Sequence, residues 1–239
     1  MKSLQRCFAA GLAALCWTAL SAWSAPLQLD RVEPPHWWTG MKTQQLELML
    51  HAPGIAQARP SLTYPGVKLL GTHVSDNPNY LWIILDITPL ARPGVLQIAL
   101  RDGPHTRTLH YSLQARQKGS ADRVGFTSAD VVLNLMPDRF ANGDPSNDNQ
   151  AGYEENANRL LAHGRHGGDI AGIVQHLDHI AAMGYTTLWP TPLIDNNQPA
   201  YSYHGYASTD NYRIDPRYGS NDDYRRMVGL ARQKGLKVI

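Results

Sequence analysis

The sequence predicts two folded parts in succession: a β-sandwich (immunoglobulin-like) N-terminal domain, then the first part of a (β/α)8 TIM barrel, left incomplete. Three observations predict this. Short apolar runs recur between turn residues from Leu27 to about Arg116. A polar stretch, "ARQKGSADR" from Ala115 to Arg123, interrupts them. Beyond it, continuously apolar strands alternate with helical patterns, as in a parallel sheet buried on both faces. With 43% hydrophobic and 18% charged residues, the 239-residue chain is composed like a globular protein rather than a disordered one.

Residues 1–24 read as a secretory signal peptide. Lys2 and Arg6 make a positive start, Cys7 to Leu20 is apolar, and Ala22 and Ser24 are small residues placed for cleavage near Ala25. The apolar run is shorter than the roughly 20 residues of a membrane span. The mature chain is therefore expected to be exported, periplasmic or extracellular, with no membrane association once the signal is removed. Loss of Lys2 and Arg6 takes the formal net charge from +2 to zero, which argues against a nucleic-acid partner. Both cysteines, Cys7 and Cys16, leave with the signal, so neither disulfides nor a cysteine metal site are expected.

Residues 25–117 are assigned to the sandwich. Its candidate strands are "LQLDRV", "QQLELMLH", "GVKLLGTHV", "NYLWIILDIT", "GVLQIALRDG" and "TRTLHYSLQ", and in the second Leu46, Leu48 and Leu50 alternate so that one face turns to a core.

Residues 122–239 are assigned to the barrel. Its strands are Asp130 to Met136, Tyr185 to Trp189 and Leu236 to Ile239. Between the first two, Ile170, Ile173, Val174, Leu177, Ile180 and Ala181 share one face of a helix that Asp169 caps and Gly184 ends. A second helix opens on Ser220 and Asp223, spaced as a capping box, carries Tyr224, Met227, Val228 and Ala231 as its stripe, and stops at Gly235. The loops after the strands, Pro137 to Gly168 and Pro190 to Gly219, are long, whereas the returns from helix to strand are short. In a barrel the long βα loops build the active face.

The first loop contains "DRFANGDPSNDN", Asp138 to Asn149. Taken alone, its crowded oxygen-bearing side chains suit either a turn cluster or a cage for a hard cation. The second loop carries Tyr201, Tyr203, Tyr206, Tyr212 and Tyr218 of the chain's 11 tyrosines. Aromatic planes stack on the apolar faces of sugar rings, and His204 and Asp210 can bond hydroxyls; most of these tyrosines are nevertheless expected to pin the loop to its scaffold. His163, His166, His176 and His179 raise zinc, but His176 and His179 flank the apolar stripe and read as a solvated helix face.

Together "MPDRFANGDPSNDN", "GGDIAGI", "LDHIAAMGYTTLWPTPL", "YHGYASTDNYRIDPRYGS" and "LARQKGLKVI" resemble the opening of an α-amylase superfamily barrel, glycoside hydrolase family 13. The nearest likeness is to the neopullulanase and cyclomaltodextrinase group, whose preceding sandwich domain "VEPPHWWTGMK" resembles. The resemblance implies retaining hydrolysis of α-1,4-linked glucans such as maltodextrin, cyclodextrin, pullulan or starch. It implies Ca²⁺ held by Asn142, Asp144, Asn147, Asp148, the Gly167 carbonyl and Asp169, which is also placed to cap a helix. Tyr206 matches the family tyrosine that stacks on the sugar beside the cleaved bond, and His204 a histidine of the same subsite. In some relatives the sandwich domain mediates a homodimer.

Retaining glycosidases use two carboxyl groups about 5 Å apart. In this family they come from later strands, so they are expected beyond Ile239, and Asp138, Glu154, Glu155 and Asp195 match none of their motifs. The chain by itself is expected to be inactive. The alternative is a non-catalytic carbohydrate- or calcium-binding remnant.

Overall fold

The structure, a computed structural model, describes residues 29–239; the expected signal peptide lies outside the described residues. The described residues divide into two compact units, 29–115 and Arg116–Ile239.

The first unit contains β1 (Arg31–Glu33), β2 (His36–Trp38), β3 (Gln45–His51), β4 (Arg59–Ser61), β5 (Val67–Val74), β6 (Tyr80–Ile87), β7 (Gly94–Asp102) and β8 (His105–Gln114). They form two four-stranded sheets, ordered β1-β3-β6-β5 and β2-β8-β7-β4. Pairing is antiparallel except that β2 runs parallel to β8. Pro34 and Pro35 lie where the chain leaves β1 in one sheet for β2 in the other; lacking N–H groups, they cannot extend either ladder.

Period-2 alternation decides which side chains meet. Leu46, Leu48 and Leu50 of β3 and Leu81, Ile83, Leu85 and Ile87 of β6 face Leu96, Ile98 and Leu100 of β7 and Tyr111 and Leu113 of β8 in one core. Each buried Leu or Ile contributes about 1.5–3 kcal/mol. Gly103, at φ 53, lies in the two-residue β7–β8 turn, whose twist calls for positive φ. Pro60 sits in the edge strand β4, where a missing donor is tolerated.

The second unit contains β9 (Val132–Leu135), α1 (Pro137–Phe140), α2 (Ile170–Gln175), α3 (Leu177–Ala182), β10 (Thr187–Pro190), β11 (Ile194–Asp195), β12 (Asp210–Ile214), α4 (Asn221–Gln233) and β13 (Lys237–Val238). Strands β9, β10 and β13 make a parallel sheet in the order β13-β10-β9. Leu135 and Leu188 of the sheet pack with Ile170, Ile173, Leu177, Ile180, Met227 and Ala231 from the helices. The expected first helix is two: His176 (φ −111, ψ 8) closes α2 and opens α3. Its N–H bonds Ile173 O at 3.0 Å, a tightened turn, while its Nδ1 lies 2.8 Å from Gly172 O. The expected capping box of α4 is present, with Asp223 N–H donating to Ser220 Oγ and Ser220 N–H to the Asp223 carboxylate.

One carboxylate clasps the start of the sheet. Asp130 accepts from Lys237 Nζ at 2.8 Å, Thr127 N at 2.6 Å and Thr186 Oγ1 at 2.9 Å, just before β9 and beside β10 and β13. The Lys237 ammonium and these donors hold its carboxyl well below the usual carboxylate range.

Candidate functional site

Two loops leave the carboxyl ends of adjacent parallel strands: residues 136–169 follow β9 and residues 191–220 follow β10. In open parallel sheets that end is where ligands gather.

The first loop winds round Asp169. Gly143 N–H and Gly172 N–H donate to its Oδ1 at 3.0 and 2.6 Å; Asp144 N–H and Asn147 Nδ2 donate to its Oδ2 at 2.8 and 3.2 Å. The same carboxylate thus caps α2 and gathers the polar loop. The loop has to pass close to the helix: a Cβ on Gly143 would lie 2.3 Å from Gly172 N, and one on Gly172 1.9 Å from Ala141 O.

Beside Asp169, Asn142 Nδ2 donates to Asp148 Oδ1 at 2.7 Å. Gly167, at φ 85, passes directly against this pair, since a Cβ there would stand 2.5 Å from Asp148 Oδ1. Asn142 Oδ1 and Asn147 Oδ1 are buried and have no hydrogen-bond partner. Burial, and then the neighbouring Asp169 charge, push the Asp148 carboxyl above its ordinary value. Asp144 turns outward, accepting from Ser146 N at 3.1 Å and Ser146 Oγ at 2.5 Å. Asn142, Asn147, Asp148, Gly167 and Asp169 are thus brought together, with Asp144 joined through its backbone. Among the described residues, no group of three or more His, Cys, Asp or Glu side chains is arranged to hold a metal; the convergence here is of amides and carboxylates.

The second loop is less open than its composition suggests, because β11 and β12 pair as a short antiparallel ribbon. Asp195, buried at the end of β11, takes hydrogen bonds from Tyr153 of the first loop, Thr209 Oγ1 at 2.7 Å and Arg213 Nη2 at 2.9 Å. Burial opposes its ionisation, but the Tyr153, Thr209 and Arg213 donors outweigh it and hold the carboxyl below its usual range. Burial and the Asp195 contact push the Tyr153 phenol upward. The fully buried Arg217 pairs with Asp215 at 2.7 Å, donates to Glu155 O at 3.0 Å and to Asn196 O, and lies over the Tyr153 ring at 4.5 Å. Glu155 Oε2 accepts Ser202 N–H at 2.7 Å. The two loops are therefore sewn into one wall.

His204 and Tyr206 stand on that wall. Their ring centroids are 5.8 Å apart, and Tyr206 N–H donates to His204 Nδ1 at 2.9 Å. Tyr206 is 69% exposed. Gly205, at φ 77, must be glycine, since a Cβ would lie 2.0 Å from Pro192 O. Of the five tyrosines only Tyr218 is fully buried, its hydroxyl donating to Tyr203 O at 2.8 Å, while Tyr201, Tyr206 and Tyr212 are exposed; fewer pin the loop than expected. Asp210 Oδ1 accepts Tyr212 N–H at 2.8 Å and so serves its own strand. Sequence reasoning missed Tyr153, Asp195 and Arg217, because the contacts of Tyr153 with Asp195 and of Arg217 with Glu155 and Tyr153 cross from one loop to the other.

Residues 31–117 match the family described as "Cyclomaltodextrinase, N-terminal" and residues 134–239 the family described as "Alpha amylase, catalytic domain". A β/α-amylase of Paenibacillus polymyxa is 42% identical over 112 residues, covering 47% of this chain and 9% of that protein. Neopullulanase 2 of Thermoactinomyces vulgaris is 38% identical over 113 residues, 46% of this chain and 18% of that protein. A cyclomaltodextrinase of a Bacillus species is 31% identical over 109 residues, 46% of this chain and 19% of that protein. The chain therefore spans less than a fifth of each of these relatives.

Proposed function

We propose that the chain, which matches the cyclomaltodextrinase N-terminal domain over residues 31–117 and the α-amylase catalytic domain over residues 134–239, forms the calcium-braced sugar wall of a retaining α-1,4-glucan hydrolase. The observation that carries this reading is the pairing of the half-buried His204 with the exposed Tyr206 on a wall built from both loops, at the carboxyl ends of β9 and β10. Tyr206 would stack on a glucosyl ring and His204 would bond its hydroxyls. The substrates would be maltodextrin, cyclodextrin, pullulan or starch, met after export to the periplasm or outside the cell. We place the nucleophile and the acid/base outside these 239 residues, so the chain alone binds glucan without cleaving it.

The metal in this reading is Ca²⁺, which takes six to eight oxygen ligands. The unpartnered buried oxygens of Asn142 and Asn147 and the crowded Asp148 carboxylate support the fit, because an unmatched buried polar atom costs about 1–3 kcal/mol. Asn142, Asn147, Asp148 and the Gly167 carbonyl would hold the ion, and Asp144, whose carboxylate accepts from Ser146, would have to turn inward to join them. Asp169 bounds the site, its oxygens already accepting four donors that position Gly143, Asp144, Asn147 and α2. When bound, the ion neutralises the gathered carboxylates and stiffens the loop.

Titration of the chain with maltoheptaose tests the reading. It predicts saturable binding, with a Kd of about 1 mM or weaker, lost in Tyr206→Ala, and no release of reducing sugar. Binding that Tyr206→Ala leaves intact, or measurable release of reducing sugar, would overturn it.

A further inference from the structure

Arg165 is among the largest fully buried side chains, 1% exposed, yet two of its hydrogen-bond donors are unmatched. The backbone is fixed: Asn158 N–H donates to Arg165 O at 2.7 Å, and Ala157 and Arg165 form a β-bridge. The guanidinium lies 4.6 Å from the centre of the Tyr218 ring, and its Nη1 reaches Ser202 O and Ser202 Oγ only at 3.4 Å. Nε and Nη2 have no hydrogen-bond partner. These two nitrogens point their hydrogens along the same edge of the guanidinium, the edge that grips carboxylates and other anions in bidentate fashion.

The groups around it have hydrogen-bond partners of their own, and the Asp148 carboxylate and the Tyr218 hydroxyl feel the Arg165 charge. Asp138 accepts from His166 N at 2.9 Å, Gly167 N at 3.2 Å and Arg139. The Tyr218 hydroxyl donates to Tyr203 O, and burial pushes its pKa up to about 12, so it stays neutral. An isolated buried cation is costly unless paired and hydrogen-bonded. With Arg165 already sealed from solvent, its partner has to be small.

We propose that the Nε–Nη2 edge of Arg165 is a binding site for a small monovalent anion of chloride size. The anion supplies the acceptor that these two donors lack, at a guanidinium that already joins the first loop to Ser202 and Tyr218 of the second. This site does not depend on the glucan reading or on Ca²⁺.

The test compares thermal unfolding of the full chain in sodium chloride, sodium bromide and sodium gluconate at equal ionic strength. The midpoint should rise by roughly 4 °C or more in either halide once it exceeds its dissociation constant tenfold. Arg165→Met should abolish that increment, and Arg165→Lys, which keeps the charge but not the paired edge, should reduce it. Crystals grown in bromide should show an anomalous peak bridging Nε and Nη2, a result that stands even where the variants fail to fold. A midpoint indifferent to the anion overturns the proposal, as does a bromide peak without any midpoint shift, which marks an adventitious ion only. An ordered water at that edge in bromide crystals overturns it equally.

Discussion

Asn142 Nδ2 and Asp148 Oδ1, six positions apart, meet at 2.7 Å against the backbone of Gly167 and close a polar loop on a glycine held at φ 85. The contact depends on what Gly167 lacks. Gly167→Ala adds a Cβ 2.5 Å from Asp148 Oδ1 in a backbone region that L-residues avoid. The variant should lose about 1–3 kcal/mol in chemical denaturation, and calcium should stabilise it less than the parent; stability equal to the parent's would show that the loop does not close on this glycine.

Arg217 and Asp215 are both fully buried and bonded to each other. Removing one partner leaves the other charge uncompensated, so Arg217→Met should cost about 3–5 kcal/mol. The double variant Arg217→Met/Asp215→Asn should recover part of that loss. Urea denaturation of the two variants checks both statements.

Asp195 gives the stability a predictable dependence on pH. Its carboxyl is held below the usual range, so the folded state favours the ionised form. The stabilisation is fully present above the unfolded carboxylate pKa of about 3.9 and is lost as pH falls through the lower folded value. Asp195→Asn should therefore weaken the chain at pH 7 by about 1–3 kcal/mol and flatten the acid limb of its stability curve. A variant whose stability falls with acid as steeply as the parent's would contradict this.

Much of the scaffold is legible in the sequence because its signals are local. Leu46, Leu48 and Leu50 alternate in the sequence and are buried in the structure, and Ser220 and Asp223 cap α4 at the predicted spacing. His176 shows the limit of periodicity: the apolar stripe continues through it, but the turn tightens there and divides the helix. The wall of the candidate site was not legible. Tyr153 reaches Asp195 across 42 residues and Arg217 reaches Glu155 across 62, and no local pattern encodes such pairings. Nor does spacing separate the buried Tyr218 from the exposed Tyr206, since solvent access is decided by the partner loop.

In the proposed function, residues Asn142 to Asp148, with Gly167 and Asp169, form a calcium brace for the wall carrying His204 and Tyr206. The most direct measurement is the thermal unfolding midpoint of the chain in 1 mM calcium against excess chelator, roughly the concentration at which extracellular calcium modules fill. The account predicts a higher midpoint with calcium and the loss of that difference in Asp148→Asn. The same midpoint in calcium and in chelator would contradict it.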